Sequence, residues 1–301
     1  MDLIETLCNL VKEAGALAIG AAEALPVERS DWEIFQKWLA SGYHAGMKYM
    51  ERYQEIRHDP RLLLPGASTV ISMAFNYRQP NAFGGIATYA LGQDYHKVLR
   101  KRLKSVIAGM KKEFGGEWRI CIDTAPMLER YWAEKCGVGK RSEFHGNIVV
   151  SGVGSMVFLA EIITTLAIVP FSRRLTPIGH HASASANMPS LKVCPTGALQ
   201  KCGIIDSRRC INYLTIEHPD EWTHEEKIIM SMPGARQAIY GCDICQKICR
   251  ENQGPPVEII PEFAPLAELA GILEALKEKN YSHIPSVSPV SRVRQRLKPK
   301  N

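Results

Sequence analysis

Two cysteine stretches, far apart along the chain, restrict it more than any other feature. They are Lys192-Val193-Cys194-Pro195-Thr196-Gly197-Ala198-Leu199 and Gly241-Cys242-Asp243-Ile244-Cys245-Gln246-Lys247-Ile248-Cys249. A Cys-Pro pair ends the bacterial-type iron–sulfur run C-x2-C-x2-C-x3-C-P, and that last cysteine ligates the neighbouring cluster rather than its own. The second stretch is C-x2-C-x3-C, a tight thiolate turn. One [4Fe–4S] cube takes four thiolates. Cys194, Cys242 and Cys245 supply three, and Cys202 or Cys210 must supply the fourth. Cys210 is preferred, because it lies between Arg208-Arg209 and the helix-like Ile211-Asn212-Tyr213-Leu214, where positive neighbours would stabilise a thiolate. Zinc held by the same thiolates is the alternative.

Counting back from Cys194, the earlier ligands of such a run fall at 190, 187 and 184, where this chain has Ser190, Asn187 and Ala184. Oxygen and nitrogen donors substitute poorly for soft thiolates on iron. One cluster is therefore supported and a second is not, and Cys249, a metal-ligand candidate that would close the missing cube, is left without companions. Cys8, Cys121 and Cys136 sit on apolar faces and read as core residues. Nine cysteines without a secretory signal ahead of them argue for metal or redox use in a reducing cytosol rather than a disulfide framework. The longest apolar run, 156–171, contains Glu161 and is too short and polar to span a bilayer, so no membrane partner is expected. A net charge of +6 favours a polyanionic partner, although a solvated lysine-rich surface explains it equally well.

The remaining chain predicts a mixed α/β (α+β) fold. Leu3, Ile4, Leu7, Val11, Ala14 and Leu17 recur at helical spacing. Ser30-Asp31-Trp32-Glu33 reads as a capping box opening a helix that stops at Gly42. Residues 69–75 are apolar and β-rich, a buried strand. Asp94 caps a further helix whose stripe is Val98, Leu99, Leu103, Val106, Ile107 and Met110. Its other face carries Lys97, Arg100, Lys101, Arg102, Lys104, Lys111 and Lys112, either a solvated face or a phosphate-contact surface. A strand over 118–122 ends at Asp123, with a helix over about 125–136 behind it. An acid in that position is a common catalytic placement and also a good helix N-cap. Strand-like sequence resumes at Ile148, residues 172–190 read as loop, and the cysteines of 192–255 lie on short helices and turns. A helix over 263–279 precedes a polar tail with Arg292, Arg294, Arg296, Lys298 and Lys300.

Four separated stretches carry a resemblance. They are Tyr89-Ala90-Leu91-Gly92-Gln93-Asp94-Tyr95-His96, Ile122-Asp123-Thr124-Ala125-Pro126-Met127-Leu128-Glu129-Arg130, Arg209-Cys210-Ile211-Asn212-Tyr213-Leu214-Thr215-Ile216-Glu217-His218 and Tyr240-Gly241-Cys242-Asp243-Ile244-Cys245-Gln246. Together with the cysteines they resemble the epoxyqueuosine reductase family, in the family's order, over about residues 10–255. The resemblance implies a cobalamin-dependent, iron–sulfur oxidoreductase that finishes queuosine at the tRNA wobble position. It implies a corrinoid-binding catalytic α/β domain over 1–171, a ferredoxin-like iron–sulfur module over 172–255, and a C-terminal helix and basic tail over 256–301. By that likeness Asp123 is the proton donor near cobalt, with Asp94 and His96 in the same cofactor pocket. The partners implied are the tRNA anticodon loop and an external electron donor, for a cytoplasmic monomer. A carboxylic acid that protonates a departing oxygen must hold its proton near neutral pH, which burial beside an apolar corrin favours. Where the family has a Gly-Trp-Ile-Gly-Lys-Asn-like turn near the corrin, this chain has Gly139-Lys140-Arg141-Ser142-Glu143-Phe144-His145. Two other readings compete: a single-cluster electron carrier or inactive remnant, and a related corrinoid iron–sulfur reductase such as a reductive dehalogenase.

Overall fold

The computed structural model describes residues 2–79, 83–176, 190–254 and 257–292. The positions 184 and 187 of the missing run, and the basic tail from 293 onward, lie outside the described residues. In chain order the elements are α1 (Leu3–Glu13), β1 (Ala18–Glu23), α2 (Arg29–Ala40), α3 (Gln54–His58), β2 (Thr69–Asn76), α4 (Tyr95–Phe114), β3 (Trp118–Cys121), α5 (Glu129–Lys135), β4 (Lys140–Arg141), β5 (Ile148–Val149), β6 (Val157–Thr164), β7 (Phe171–Arg174), α6 (His224–Ser231), α7 (Ile244–Lys247) and α8 (Leu269–Lys277).

Five strands form one sheet in the order β3-β6-β2-β1-β7, and every pairing in it is antiparallel. The fold is thus α+β. Side chains alternate across the sheet, so each strand feeds two cores. One face gathers Ile71, Met73, Phe75, Ala160 and Ile162 against Leu7 and Val11 of α1 and Leu99, Leu103, Val106 and Met110 of α4. The opposite face gathers Val70, Ala74 and Ile163 against Tyr131, Trp132 and Ala133 of α5. Every residue of β2 is buried, and burial on both faces explains why its polar residues are confined to Thr69, Ser72 and Asn76. Strand β7 is an edge strand where the sequence read as loop; only four residues long, it gave little periodic signal.

Helix α4 starts as expected, with the Asp94 carboxylate accepting from the His96 N–H at 3.1 Å. The capping box at Ser30 does not form. Helix α2 begins at Arg29, so Ser30 lies inside its first turn and Glu33 pairs with Arg29 at 2.8 Å instead. The capping box that does form is Thr223 with Glu226, at the start of α6. The helix expected over 125–136 is confined to α5, because the chain turns sharply first: Asp123 has φ 48° and Pro126 lacks an N–H. Similarly, Pro265 delays the last helix until Leu269. Helix α8 packs on Ile86, Leu91 and Tyr240, so its segment shares a core with both preceding regions.

Helix α5 approaches the sheet over Gly20. A Cβ there would come 1.8 Å from the Cys136 carbonyl oxygen and 3.1 Å from that of Phe171. Both obstacles are backbone and cannot rotate away. Gly20→Ala is expected to destabilise the chain by about 3 kcal/mol or more, read as a lowered urea midpoint with an unchanged slope.

Candidate active site and thiolate centre

Three side chains form a line from the interior to an open cleft. Asp94 is only 2% exposed. Its Oδ1 lies 2.8 Å from His96 Nδ1, and His96 Nε2 lies 2.8 Å from Asp123 Oδ2. Two elements build this line: Asp94 and His96 share the first turn of α4, while Asp123 follows β3. The left-handed backbone at Asp123 is uncommon for a residue with a Cβ. It turns the carboxylate away from α5 and toward the cleft, where the side chain is 54% exposed. Asp123 therefore is not a helix N-cap; Leu128 occupies that position. Its backbone N–H instead donates to Glu129 Oε1 in a short contact.

The cleft has a volume of about 160 Å³ and is open on one side. Tyr77, Tyr95 and Phe158 supply an aromatic wall: the Tyr95 and Phe158 rings stack at 4.3 Å and 9°, and Tyr77 meets Phe158 at 4.5 Å. Asp123, Glu129, Arg130 and Gln246 supply the polar side. A flat apolar wall facing a few convergent polar groups suits a planar macrocycle. Glu129 keeps some contact with solvent, yet protein crowds it closely. That crowding, with the nearby Asp123 carboxylate second, pushes its carboxyl up to about 8. Glu129, Arg130 and the aromatic wall escaped the sequence reading. Glu129 and Arg130 stand in the stretch 122–130 that carries the family resemblance, but nothing in one sequence separates them from helix-surface charges.

Cys194, Cys210, Cys242 and Cys245 all feel one another electrostatically, and Cys245 also feels Cys249. Cys202 is exposed, has φ 58° and is outside that set. Among the described residues no three His, Cys, Asp or Glu side chains converge tightly enough to hold a single metal ion. Four mutually close thiols are the donor set that one [4Fe–4S] cube takes. Burial raises the Cys210 thiol and lifts Cys242 to about 11. Burial would raise Cys194 too, but the Thr196 hydroxyl and the N–H groups of Thr196, Ala198 and Leu199 outweigh it and lower its pKa. Loading a metal must displace the protons of the raised thiols.

The positive neighbour of Cys210 is not Arg208 or Arg209. Arg208 pairs with Asp206 at 2.8 Å, and Arg209 donates to the Thr196 carbonyl at 2.6 Å. The cation that Cys210 senses is Arg130, which also senses Cys245 and lines the cleft. Cys249 is buried with Phe144 and Leu199, and its thiol donates to the Cys245 carbonyl at 3.3 Å. Cys121 and Cys136 are core residues, as their spacing suggested, and burial raises both thiols, Cys121 to about 12. Cys8 is buried likewise.

The fold and site define an iron–sulfur oxidoreductase with its cleft placed beside a thiolate-rich module. Residues 57–124 match the family described as epoxyqueuosine reductase QueG, DUF1730, and residues 191–252 match a 4Fe-4S double cluster binding domain. The chain is 33% identical over 264 residues to the epoxyqueuosine reductase of Synechococcus sp. (strain RCC307), covering 84% of this chain and 76% of that one. It is 36% identical over 266 residues to that of Aliivibrio fischeri, covering 84% and 67%. A crystal structure of epoxyqueuosine reductase with an epoxyqueuosine-modified tRNA-Tyr stem loop superposes with a TM-score of 0.76 at 27% identity, covering 96% of this chain and 79% of that one. The chain belongs to the epoxyqueuosine reductase family. Among the described residues no helix is long and apolar enough to cross a membrane.

After anaerobic reconstitution, Cys210→Ala is expected to lower iron content by about four atoms per chain, while Cys202→Ala leaves it unchanged. Iron and acid-labile sulfide assays check this.

Proposed function

We propose that this chain reduces epoxyqueuosine to queuosine at the tRNA wobble position, using cobalamin and a [4Fe–4S] cluster, with Asp123 as proton donor. The observation that carries this reading is the Asp94–His96–Asp123 line, which ends in an open cleft against a thiolate module in a chain of this family. In the proposed site, Cys194, Cys210, Cys242 and Cys245 hold the cluster, Asp123 borders the corrin, and His96 and then Asp94 stand behind Asp123 rather than in the cleft itself. Cys249 is the remaining ligand candidate, belonging to a second cube whose other positions hold no thiol at 184, 187 or 190. Bound here, cobalamin supplies the reducing chemistry and the cluster relays single electrons from an external donor.

The chain's own residues handle the protons. Two hydrogen bonds tie Asp94, His96 and Asp123, so one proton lies between His96 and Asp123 and can move to the Asp123 oxygen that faces the substrate. The buried Asp94 carboxylate fixes the imidazole and compensates its charge when the proton stays on it. A wobble base lies in a single-stranded loop, so it can be splayed into the cleft at little cost. On α4, Lys97 donates to the Ser286 carbonyl, Arg102 pairs with Glu262 and Lys111 with Glu117. Arg100, Lys101, Lys104 and Lys112 remain exposed and are the proposed phosphate contacts. A relative's structure with a modified tRNA stem loop supports this choice of partner.

With cobalamin and a low-potential reductant, the chain is expected to convert an epoxyqueuosine-containing anticodon stem loop to the queuosine form, followed by mass spectrometry. Asp123→Asn should lower the single-turnover rate at least about 10²-fold; a rate within twofold of the parent sinks the assignment. Replacing Arg100, Lys101 and Lys104 together by Glu should weaken stem-loop binding and flatten its salt dependence, measured by titration at several salt concentrations.

A further inference from the structure

Removing an epoxide oxygen as water consumes two electrons and two protons and leaves a carbon–carbon double bond. The first proton opens the ring by converting its oxygen to a hydroxyl. The second lets that hydroxyl leave as water. The Asp94–His96–Asp123 line has one proton to give at the cleft, since its other proton is committed to the Asp94–His96 hydrogen bond. A second donor at the same oxygen spares Asp123, which is 54% exposed, a reprotonation from solvent between the two transfers.

We propose that Glu129 is a second catalytic acid, delivering the proton that carries the epoxide oxygen away as water. This rests on the epoxide-reduction reading and adds a residue to it. Glu129 lines the cleft alongside Asp123. Its Oε1 accepts the Asp123 backbone N–H, which anchors the carboxyl and leaves Oε2 as the oxygen able to carry a proton. The groups around it are the Asp123 carboxylate after β3, His96 of α4, Arg130 beside it on α5, and Glu161 of β6 below. The crowding protein and the Asp123 carboxylate disfavour the ionised form, the Asp123 backbone N–H, Arg130 and His96 favour it, and the balance raises the Glu129 carboxyl to about 8. Glu161 backs this arrangement. It is 0% exposed, its Oε1 accepts from the Ser72 hydroxyl at 3.1 Å, and its Oε2 has no partner. Burial holds its carboxyl neutral too, with Glu129 contributing in the same direction. The electrons come from the same one-electron donor that serves the proposed reduction, and no other co-reactant is required.

The test substitutes Glu129→Gln, whose amide oxygen can still accept the Asp123 N–H but whose side chain cannot act as an acid. In single turnover on the epoxyqueuosine stem loop the parent rate should fall as pH rises through about 8, because the protonated form is the active one. Glu129→Gln should be slower by about 10²–10⁴-fold and should lose that limb. The solvent isotope dependence should change from two-proton to one-proton form. A second readout uses the cofactor-free chain: infrared spectra should show a protonated carboxyl that ionises near pH 8 in the parent and is missing from Glu129→Gln, while the Glu161 band persists. Parent-like turnover in the variant overturns the proposal, as does a parent spectrum without a carboxyl ionising in that range. If the parent chain fails to convert the stem loop yet shows that carboxyl, the substrate reading has failed and the acid at Glu129 stands.

Discussion

An imidazole held between two carboxylates governs the geometry of this protein. Asp94 is buried, and a buried carboxylate is costly unless hydrogen-bonded and compensated. It meets that demand twice, by capping α4 through the His96 N–H and by bonding the His96 ring. The ring then has only its far nitrogen to offer, and Asp123 takes it. The unusual backbone at Asp123 follows from the same constraint. A residue continuing smoothly from β3 into a helix would point elsewhere; the left-handed turn, held by Glu129 behind and His96 in front, delivers the carboxylate to the cleft.

Arg130 lies between the carboxyls of the cleft and the thiols. It neighbours Glu129 in sequence, lines the cleft, and senses both Cys210 and Cys245. Crowding lowers its pKa, and the acid and thiols around it act in the opposite direction. A guanidinium retains its charge under such conditions. One fixed cation thus faces carboxyls on one side and sulfur on the other, so negative charge arriving on either side meets the same compensation. The two functional regions share an electrostatic element as well as a border.

Parts of this arrangement were legible in the chain. The Asp94 cap, the α4 stripe and the buried strand β2 follow local rules of spacing and capping, and each forms. The preference for Cys210 over Cys202 rested on the adjacent Arg208 and Arg209, whereas the cation that Cys210 senses is Arg130, which comes from a part of the chain distant in sequence. Local rules failed where a neighbour overrode them. Ser30 had the right partner three residues on, yet the helix started earlier and Glu33 found Arg29. Asp123 had the right position for an N-cap, yet His96 claimed its side chain and Pro126 disrupted the turn behind it.

By itself the amino-acid order determined the donor chemistry: which thiols exist, that the run before Cys194 lacks its earlier partners, and that an acid ends β3. Such facts depend on residue identity and on spacing within a few turns of chain. Only the tertiary structure decided which groups sit together. The raised carboxyl of Glu129, the lowered guanidinium of Arg130 and the orphaned oxygen of Glu161 all arise first from crowding by the surrounding protein. Desolvation is a property of the surrounding volume, and no window of residues along a chain contains it.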